Sequence, residues 1–169
     1  MTRINVVIPT YNESQDLPHL IREIEGGLKG HHCIILVDDN SPDGTANLAR
    51  KLNETYGNIK VLQRSGKLGI GSAIVDGLKI ALKEEDCEII ITMDADLSHN
   101  PKEISTLCKA AENDADLVQG SRYMEGGEIL GWSRTRYLMS ALANWVCRHL
   151  LRTEMNENTT YFRAYSPRL

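Results

Sequence analysis

Two carboxylates one residue apart, Asp94 and Asp96, follow directly on the apolar run Ile89-Ile90-Ile91-Thr92-Met93. Such a run reads as a buried strand. A D-x-D at its end lets both carboxylates converge on one hard divalent cation while the intervening side chain turns away, and Mg²⁺ or Mn²⁺ held by so few ligands keeps positions open for phosphate oxygens. Taken alone, the pair reads first as a solvated acidic turn, so its company decides. Three other strand ends are as polar: Pro9-Thr10-Tyr11-Asn12-Glu13, Asp38-Asp39-Asn40-Ser41-Pro42-Asp43-Gly44-Thr45 and Ser121-Arg122-Tyr123. In an open α/β sheet, ligands bind at the carboxyl ends of the strands, where these four segments would gather. Ser41 or Asp43 is expected to cap the helix that opens at Thr45. His99 invites reading as a third metal ligand, but a loop or cap role is the expectation. Gly69-Ile70-Gly71 lacks the G-x-G-x-x-G spacing and does not follow the first strand, so a dinucleotide fingerprint is rejected in favour of a close turn into a helix.

Those segments need a scaffold, and the pattern supplies one. Apolar β-branched runs alternate with stretches of helical period, the order of βαβ units in a mostly parallel sheet. Strands are predicted near Asn5–Ile8, Cys33–Val37, Lys60–Gln63, Glu88–Met93 and Asp116–Gly120. Helices are predicted over Leu17–Leu28, Thr45–Thr55, Ile70–Lys83, Pro101–Ala111 and Thr135–Leu151, with Pro101 in a tolerated first-turn position. The strand runs are continuous rather than alternating, as strands covered on both faces require.

With 169 residues, 41% hydrophobic and 25% charged, the chain has the make-up of one globular domain. The start, Met1-Thr2-Arg3 and a short apolar run, is too brief for a signal peptide, and a cytoplasmic protein is expected. Cys33, Cys87, Cys108 and Cys147 form no C-x-x-C pair, so reduced thiols are expected rather than a zinc site or disulfides. The net charge of −4 divides unevenly: residues 1–120 carry 12 bases against 19 acids, and 121–169 carry 7 bases, all arginine, against 4 acids. Arginine's planar fork suits phosphate, which makes the later segment a candidate surface for diphosphate or anionic lipid. A nucleic-acid surface would be more basic. The apolar stretch Tyr137–Val146 is shorter than the roughly 20 residues needed to cross a bilayer. It is expected to pack against the protein rather than lie at a membrane interface with Trp145, Arg148 and Arg152 near head groups.

Together VVIPTYNE, VDDNSPDGT, LGIGSAIVDGL, MDADLSHNP, GSRY and the G-W-S-x-x-R stretch at Gly131–Arg136 resemble family 2 glycosyltransferases, specifically the dolichol-phosphate mannosyltransferases, from about Val6 to Tyr165. The resemblance implies a single GT-A catalytic domain over 1–169, clipped at its C-terminal end, with a nucleotide and metal half (1–120) and an acceptor half (121–169). It implies that Pro9, Tyr11, Glu13, Val37 and Asp39 hold the nucleoside, that Asp94, Ala95 and Asp96 hold the metal and diphosphate, and that Arg122 holds the phosphates. Arg136 and Ser140 fall on positions near the acceptor phosphate, and Ser98 stands where some members place a further metal ligand. Asp96, Arg122, Arg136 and Ser140 are thus the expected catalytic set.

The implied reaction is inverting, metal-dependent transfer of mannose from GDP-mannose to dolichyl or polyprenyl phosphate, with Mg²⁺ or Mn²⁺ as cofactor. The implied setting is the cytosolic face of a membrane, the endoplasmic reticulum in a eukaryote, with a membrane-anchoring segment or subunit as partner. A phosphate acceptor is already anionic near neutral pH and needs no general base, and the stretch after Gly120 has no aspartate to serve as one. This sequence departs from the family at Glu157-Asn158-Thr159-Thr160-Tyr161-Phe162-Arg163, where Glu157 replaces an aspartate and Tyr161 a small residue. The alternatives are a family 2 transferase using UDP-glucose or another donor, and a non-catalytic nucleotide-binding domain.

Overall fold

The computed structural model describes residues 2–84, 86–112, 115–123, 133–150, 152 and 157–169, without the side chains of Arg134 and Arg136. The strands are β1 (Ile4–Thr10), β2 (His32–Asp38), β3 (Ile59–Gln63), β4 (Ile89–Thr92), β5 (Leu117–Gln119) and β6 (Arg163–Tyr165). The helices are α1 (Leu17–Gly27), α2 (Thr45–Tyr56), α3 (Ile70–Ala81), α4 (Ile104–Ala111) and α5 (Arg134–Leu150). The strands form one sheet in the order β3-β2-β1-β4-β6-β5. β1 runs parallel to β2 and β4, and β2 runs parallel to β3.

The five predicted strands and five predicted helices are present, with two differences. Pro101 opens a 3₁₀ turn, Pro101–Glu103, capped by the Asn100 side chain, and α4 proper begins at Ile104. β6 was not expected; it joins β4 antiparallel, with Ile91 opposite Ala164.

Alternate residues of the central strands serve two cores, which explains their unbroken apolar runs. Val6, Ile8, Ile34, Leu36 and Ile91 pack with Leu17, Leu20, Ile21 and Ile24 of α1, Ala49 of α2 and Ile104 and Leu107 of α4. Val7, Ile35, Val37 and Ile90 face the other way and meet Ala73 and Ala81 of α3. Asn5, fully buried in β1, donates from Nδ2 to the Ala81 carbonyl at the end of α3, which also accepts the Glu84 amide. Cysteines 33, 87, 108 and 147 are free, and burial raises the Cys108 thiol to about 11.

The chain divides into two compact units, Met1–Val118 with Phe162–Leu169, and Gln119–Tyr161. In the second unit α5 departs from expectation. Rather than burying its apolar residues, it buries Ser140 and Asn144 and leaves Leu138, Met139, Leu142, Trp145 and Leu150 exposed, between 52% and 74%. The cause is hydrogen bonding. Ser140 accepts from the Tyr123 hydroxyl at 2.9 Å and meets Thr159 Oγ1 at 3.0 Å, while Asn144 Oδ1 accepts the Asn158 amide at 2.6 Å. No helix among the described residues is long and apolar enough to cross a membrane.

Gly77 marks the closest approach of α3 to the sheet, because a Cβ there would lie 2.2 Å from Val7 Cγ1 and 3.2 Å from Val37 Cγ2. Overpacking of this kind costs typically about 1–3 kcal/mol. Gly77→Ala should therefore lower the unfolding free energy by that amount in a urea titration, whereas Gly26→Ala, with open space around it, should not.

Candidate active site

The loops after β1 and β2 are stitched together before any ligand is considered. The Asn12 amide donates to Ser41 Oγ, the Glu13 amide to Thr45 Oγ1 and the Ser14 amide to Asp43 Oδ2, each at 3.0 Å. Asp38 is wholly structural: its carboxylate accepts from Thr10 Oγ1, Ser41 Oγ and the Ser41 amide. Asp43, rather than Ser41, takes the Thr45 amide at the start of α2. What little desolvation Asp43 suffers favours its neutral form, but hydrogen bonds from Thr45 and Ser14 outweigh it and bring the carboxyl down to about 2.

Asp39 is held more tightly. Arg64, which follows β3, donates to its Oδ1 from Nε at 2.5 Å and pairs with it through Nη2. The Leu68 and Gly69 amides donate to its Oδ2 at 3.0 and 2.9 Å. Arg64 also donates to Ser72 Oγ and the Gly69 carbonyl. Both partners of this pair are buried. The result is a fixed loop from Arg64 to Gly69, where φ of +96° demands the glycine, and α3 starts immediately after it. That loop sets the Lys67 ammonium 3.9 Å above the Tyr11 ring, a cation–π contact.

Beyond β4, Asp94 is half-buried and Asp96 exposed, with Ala95 buried between them. The turn is tight: Leu97 has φ +59° and the Ser98 amide donates to Asp96 Oδ1 at 3.0 Å. His99 takes the loop role, its Nδ1 accepting the Asp94 amide at 2.9 Å.

A cavity of about 310 Å³ opens over these strand ends, lined by Pro9, Thr10, Tyr11, Glu13, Asp39, Lys67, Gly69, Ile70, Ala73, Asp94, Ala95 and Asp96. Seven of the residues predicted for nucleotide and metal thus meet in one place. Val37 does not line it; its side chain is fully buried against α3. Ser98 contributes its described contact through the main chain. A larger cavity, about 410 Å³ between Thr2, Glu88, Glu112 and Arg168, contains none of the predicted residues. Among the described residues no group of three or more His, Cys, Asp or Glu side chains closes a metal cage. A cation would therefore sit on few carboxylates and complete its shell with oxygens from elsewhere. The electrostatics suit one: the Glu13 carboxyl is raised first by burial and then by the charges of Asp96, Asp16, Asp43 and Asp94, a crowding of negative charge that a divalent ion would relieve.

In the second unit, Arg122 binds Glu157, which is 1% exposed: its amide donates to Oε2 at 2.8 Å, its Nε to Oε1 at 3.0 Å, and its Nη2 completes the pair. Ser140 is a member of the hydrogen-bonded cluster under α5. Gly131, Trp132 and the Arg136 side chain lie outside the described residues. Sequence reasoning missed Arg64 and Lys67, although their place directly after β3 was a usable signal, since every other strand end had been searched.

The glycosyl transferase family 2 profile matches residues 5–168, and the chain belongs to that family, with its GT-A fold. Over 164 residues the chain is 38% identical to a polyprenol monophosphomannose synthase of Mycolicibacterium smegmatis, covering 96% of this chain and 61% of that protein. It is 39% identical over 147 residues to a dolichol-phosphate mannosyltransferase of Pyrococcus furiosus, covering 86% and 40%. The mannosyltransferase PcManGT from Pyrobaculum calidifontis, solved in complex with GDP-Man and Mn²⁺, aligns with a TM-score of 0.50 at 26% identity over 60% of this chain and 29% of its own. The chain thus spans between two fifths and three fifths of the curated relatives it matches.

The Asp39–Arg64 pair yields a stability test. Arg64→Met leaves a buried carboxylate without its cation and should destabilise by about 3–5 kcal/mol in chemical denaturation. Adding Asp39→Asn should restore a substantial part of that loss, a positive coupling in the double-mutant cycle.

Proposed function

We propose that the chain is the catalytic part of an inverting, metal-dependent glycosyltransferase that moves mannose from GDP-mannose to dolichyl or another polyprenyl phosphate. The observation that carries the reading is the meeting of three strand ends in one cavity: Tyr11 and Glu13, Asp39, and Asp94 with Asp96. Support for the sugar and acceptor comes from the relatives' names, and support for donor and metal from the ligands of PcManGT.

On this reading Pro9 and Tyr11 wall the nucleoside, and Asp39 keeps the 64–69 loop closed beside it. Asp94 and Asp96 hold the cation, with the Ser98 amide donating to Asp96 Oδ1. Bound there, Mg²⁺ or Mn²⁺ supplies charge stabilisation to the departing diphosphate. Arg122 offers a guanidinium to phosphate while Glu157 fixes its plane. Attack by an acceptor oxygen opposite the leaving group inverts the anomeric centre. The acceptor phosphate is anionic and needs positioning rather than a base, which is the task assigned to Arg136 and Ser140. The exposed apolar face of α5, close in sequence to Arg148 and Arg152, has the chemistry of a membrane-surface contact, where a lipid acceptor is met. Residues 1–120 are read as the nucleotide and metal half, and 121–169 as the acceptor half.

Titration calorimetry with GDP and Mn²⁺ tests the donor side. Asp96→Asn should abolish the metal-dependent part of GDP binding, and Asp94→Asn should do so less completely. Because Asp96 is exposed, its replacement should change stability by no more than about 0.5 kcal/mol. Unchanged affinity in both variants sinks the metal assignment, and tighter binding of UDP than GDP shifts the donor to a uridine sugar.

The acceptor side is tested by transfer of labelled mannose to polyprenyl phosphate, with the parent required to be active in the full-length protein. Arg136→Ala should lower the rate about ten- to a hundredfold, the loss of one charge-assisted contact of roughly 1.5–3 kcal/mol, while GDP affinity stays at the parent value. Arg122→Ala should weaken both. Transfer at the parent rate by Arg136→Ala refutes that residue's role.

A further inference from the structure

The imidazole of His99 does more than shape a turn. Its Nδ1 accepts the Asp94 amide at 2.9 Å, so in the neutral ring the proton belongs on Nε2, and Nε2 lies 3.6 Å from Asp94 Oδ2. One ring therefore addresses both the backbone and the carboxylate of the same residue. With Nδ1 engaged by an amide and Nε2 carrying the proton, the ring has no lone pair to give a cation, which disposes of His99 as a third metal ligand. The ring is also immobilised. It is 8% exposed and stacks on Phe162, with centroids 5.0 Å apart and planes 13° from parallel. Phe162 is itself 7% exposed, and the next residue, Arg163, pairs with Thr92 of β4. The segment that leads from β4 to Asp94 is thus braced twice, at β4 by β6 and beyond it by the Phe162–His99 stack.

We propose that His99 is a positioning residue for the Asp94 carboxylate, and through it for the divalent cation that Asp94 and Asp96 bind. The inference rests on the metal-dependent reading of the site. It gives Phe162 a part in the same device, since the Phe162 ring sets the plane of the imidazole. Outer groups that fix a metal-binding residue commonly matter tenfold or more in metal affinity while never touching the ion, and His99 fixes Asp94 through the hydrogen bond from its amide. The 3.6 Å separation is longer than a formed hydrogen bond. His99 therefore faces the carboxylate as a neighbour that limits its rotation, and the backbone contact supplies the fixed point.

Three replacements separate positioning from plain packing. His99→Phe keeps an aromatic ring for the stack and removes both nitrogens. His99→Gln can reach the carboxylate but withdraws the acceptor from the Nδ1 position. His99→Asn keeps an acceptor near that position. Mn²⁺ is titrated by electron paramagnetic resonance of the free ion, with the protein at saturating GDP, and each variant's folding is followed by thermal melting. The expected order of Mn²⁺ affinity is parent, then His99→Asn within about threefold, then His99→Gln, then His99→Phe roughly tenfold or more below the parent. Phe162→Leu, which releases the stack while leaving His99 in place, should also lower Mn²⁺ affinity.

A His99→Phe protein that melts cooperatively and binds Mn²⁺ as the parent does overturns the proposal, because a packing role alone predicts that result. If His99→Phe does not fold, parent-like Mn²⁺ affinity in His99→Gln overturns it instead. A parent that binds GDP without any dependence on Mn²⁺ overturns the metal reading itself, an outcome distinct from a parent that binds Mn²⁺ and variants that bind it equally well.

Discussion

The buried pair of Asp39 and Arg64 is the contact on which the strand-end cavity depends. Asp39 leaves the end of β2, Arg64 leaves the end of β3, and the two amides that complete the carboxylate belong to the turn into α3. Three elements converge on four lone pairs. A charge so far from solvent is tolerated only when its partners are in place, so the geometry is close to all-or-none: the loop is closed with the carboxylate saturated, or the carboxylate is stranded. The cavity inherits its shape from this choice. One wall is Tyr11 with Lys67 above its ring, and Lys67 is there because the next two residues are tethered. The family resemblance implies that Asp39 holds the nucleoside, and Asp39 does line the cavity. Both of its carboxylate oxygens also accept hydrogen bonds from the protein, from Arg64 and from the Leu68 and Gly69 amides.

How far the sequence foretold this depends on the range of the interactions. Asp94-Ala95-Asp96 was legible because strand, turn and carboxylates are contiguous, and the sheet rule says where such a segment points. Tyr11 and Glu13 were legible for the same reason. β6 was not: Arg163-Ala164-Tyr165 is too short for a period, and only pairing with β4 makes it a strand. The Asp39–Arg64 match spans 25 residues and has several rival carboxylates nearby, a selection that tertiary structure alone makes. His99 was rightly read as a loop residue, yet its stacking on Phe162 could not be seen, since 63 residues separate them and no local pattern links them.

α5 failed the sequence reading for a different reason. Its composition, apolar on most sides, suggested a helix packed against the protein. Leu138, Leu142 and Trp145 instead face outward, while the polar pair Ser140 and Asn144, one turn apart, finds partners in Tyr123, Thr159 and Asn158. Hydrogen bonds at Ser140 Oγ and Asn144 Oδ1 lower the cost of burying this stripe, although Asn144 Nδ2 is buried without a partner among the described residues, and the apolar stripe is left exposed. Hydrophobic periodicity reports amphipathicity without saying which side is the inside.

The second unit leaves the first at Val118 and returns at Phe162, and the strands at those two points, β5 and β6, are immediate neighbours in the sheet. Its ends are therefore pinned together by the sheet whatever lies between them. In polymer terms the intervening 119–161 is a closed loop whose closure entropy grows only with the logarithm of its length, about 0.6 kcal/mol for each doubling. A segment attached in this way can be lengthened, shortened or replaced with little thermodynamic penalty to the sheet and its strand-end cavity. The architecture thus permits one sheet and its strand-end cavity to be recombined with different inserted modules, an evolvability written into the order of two short strands.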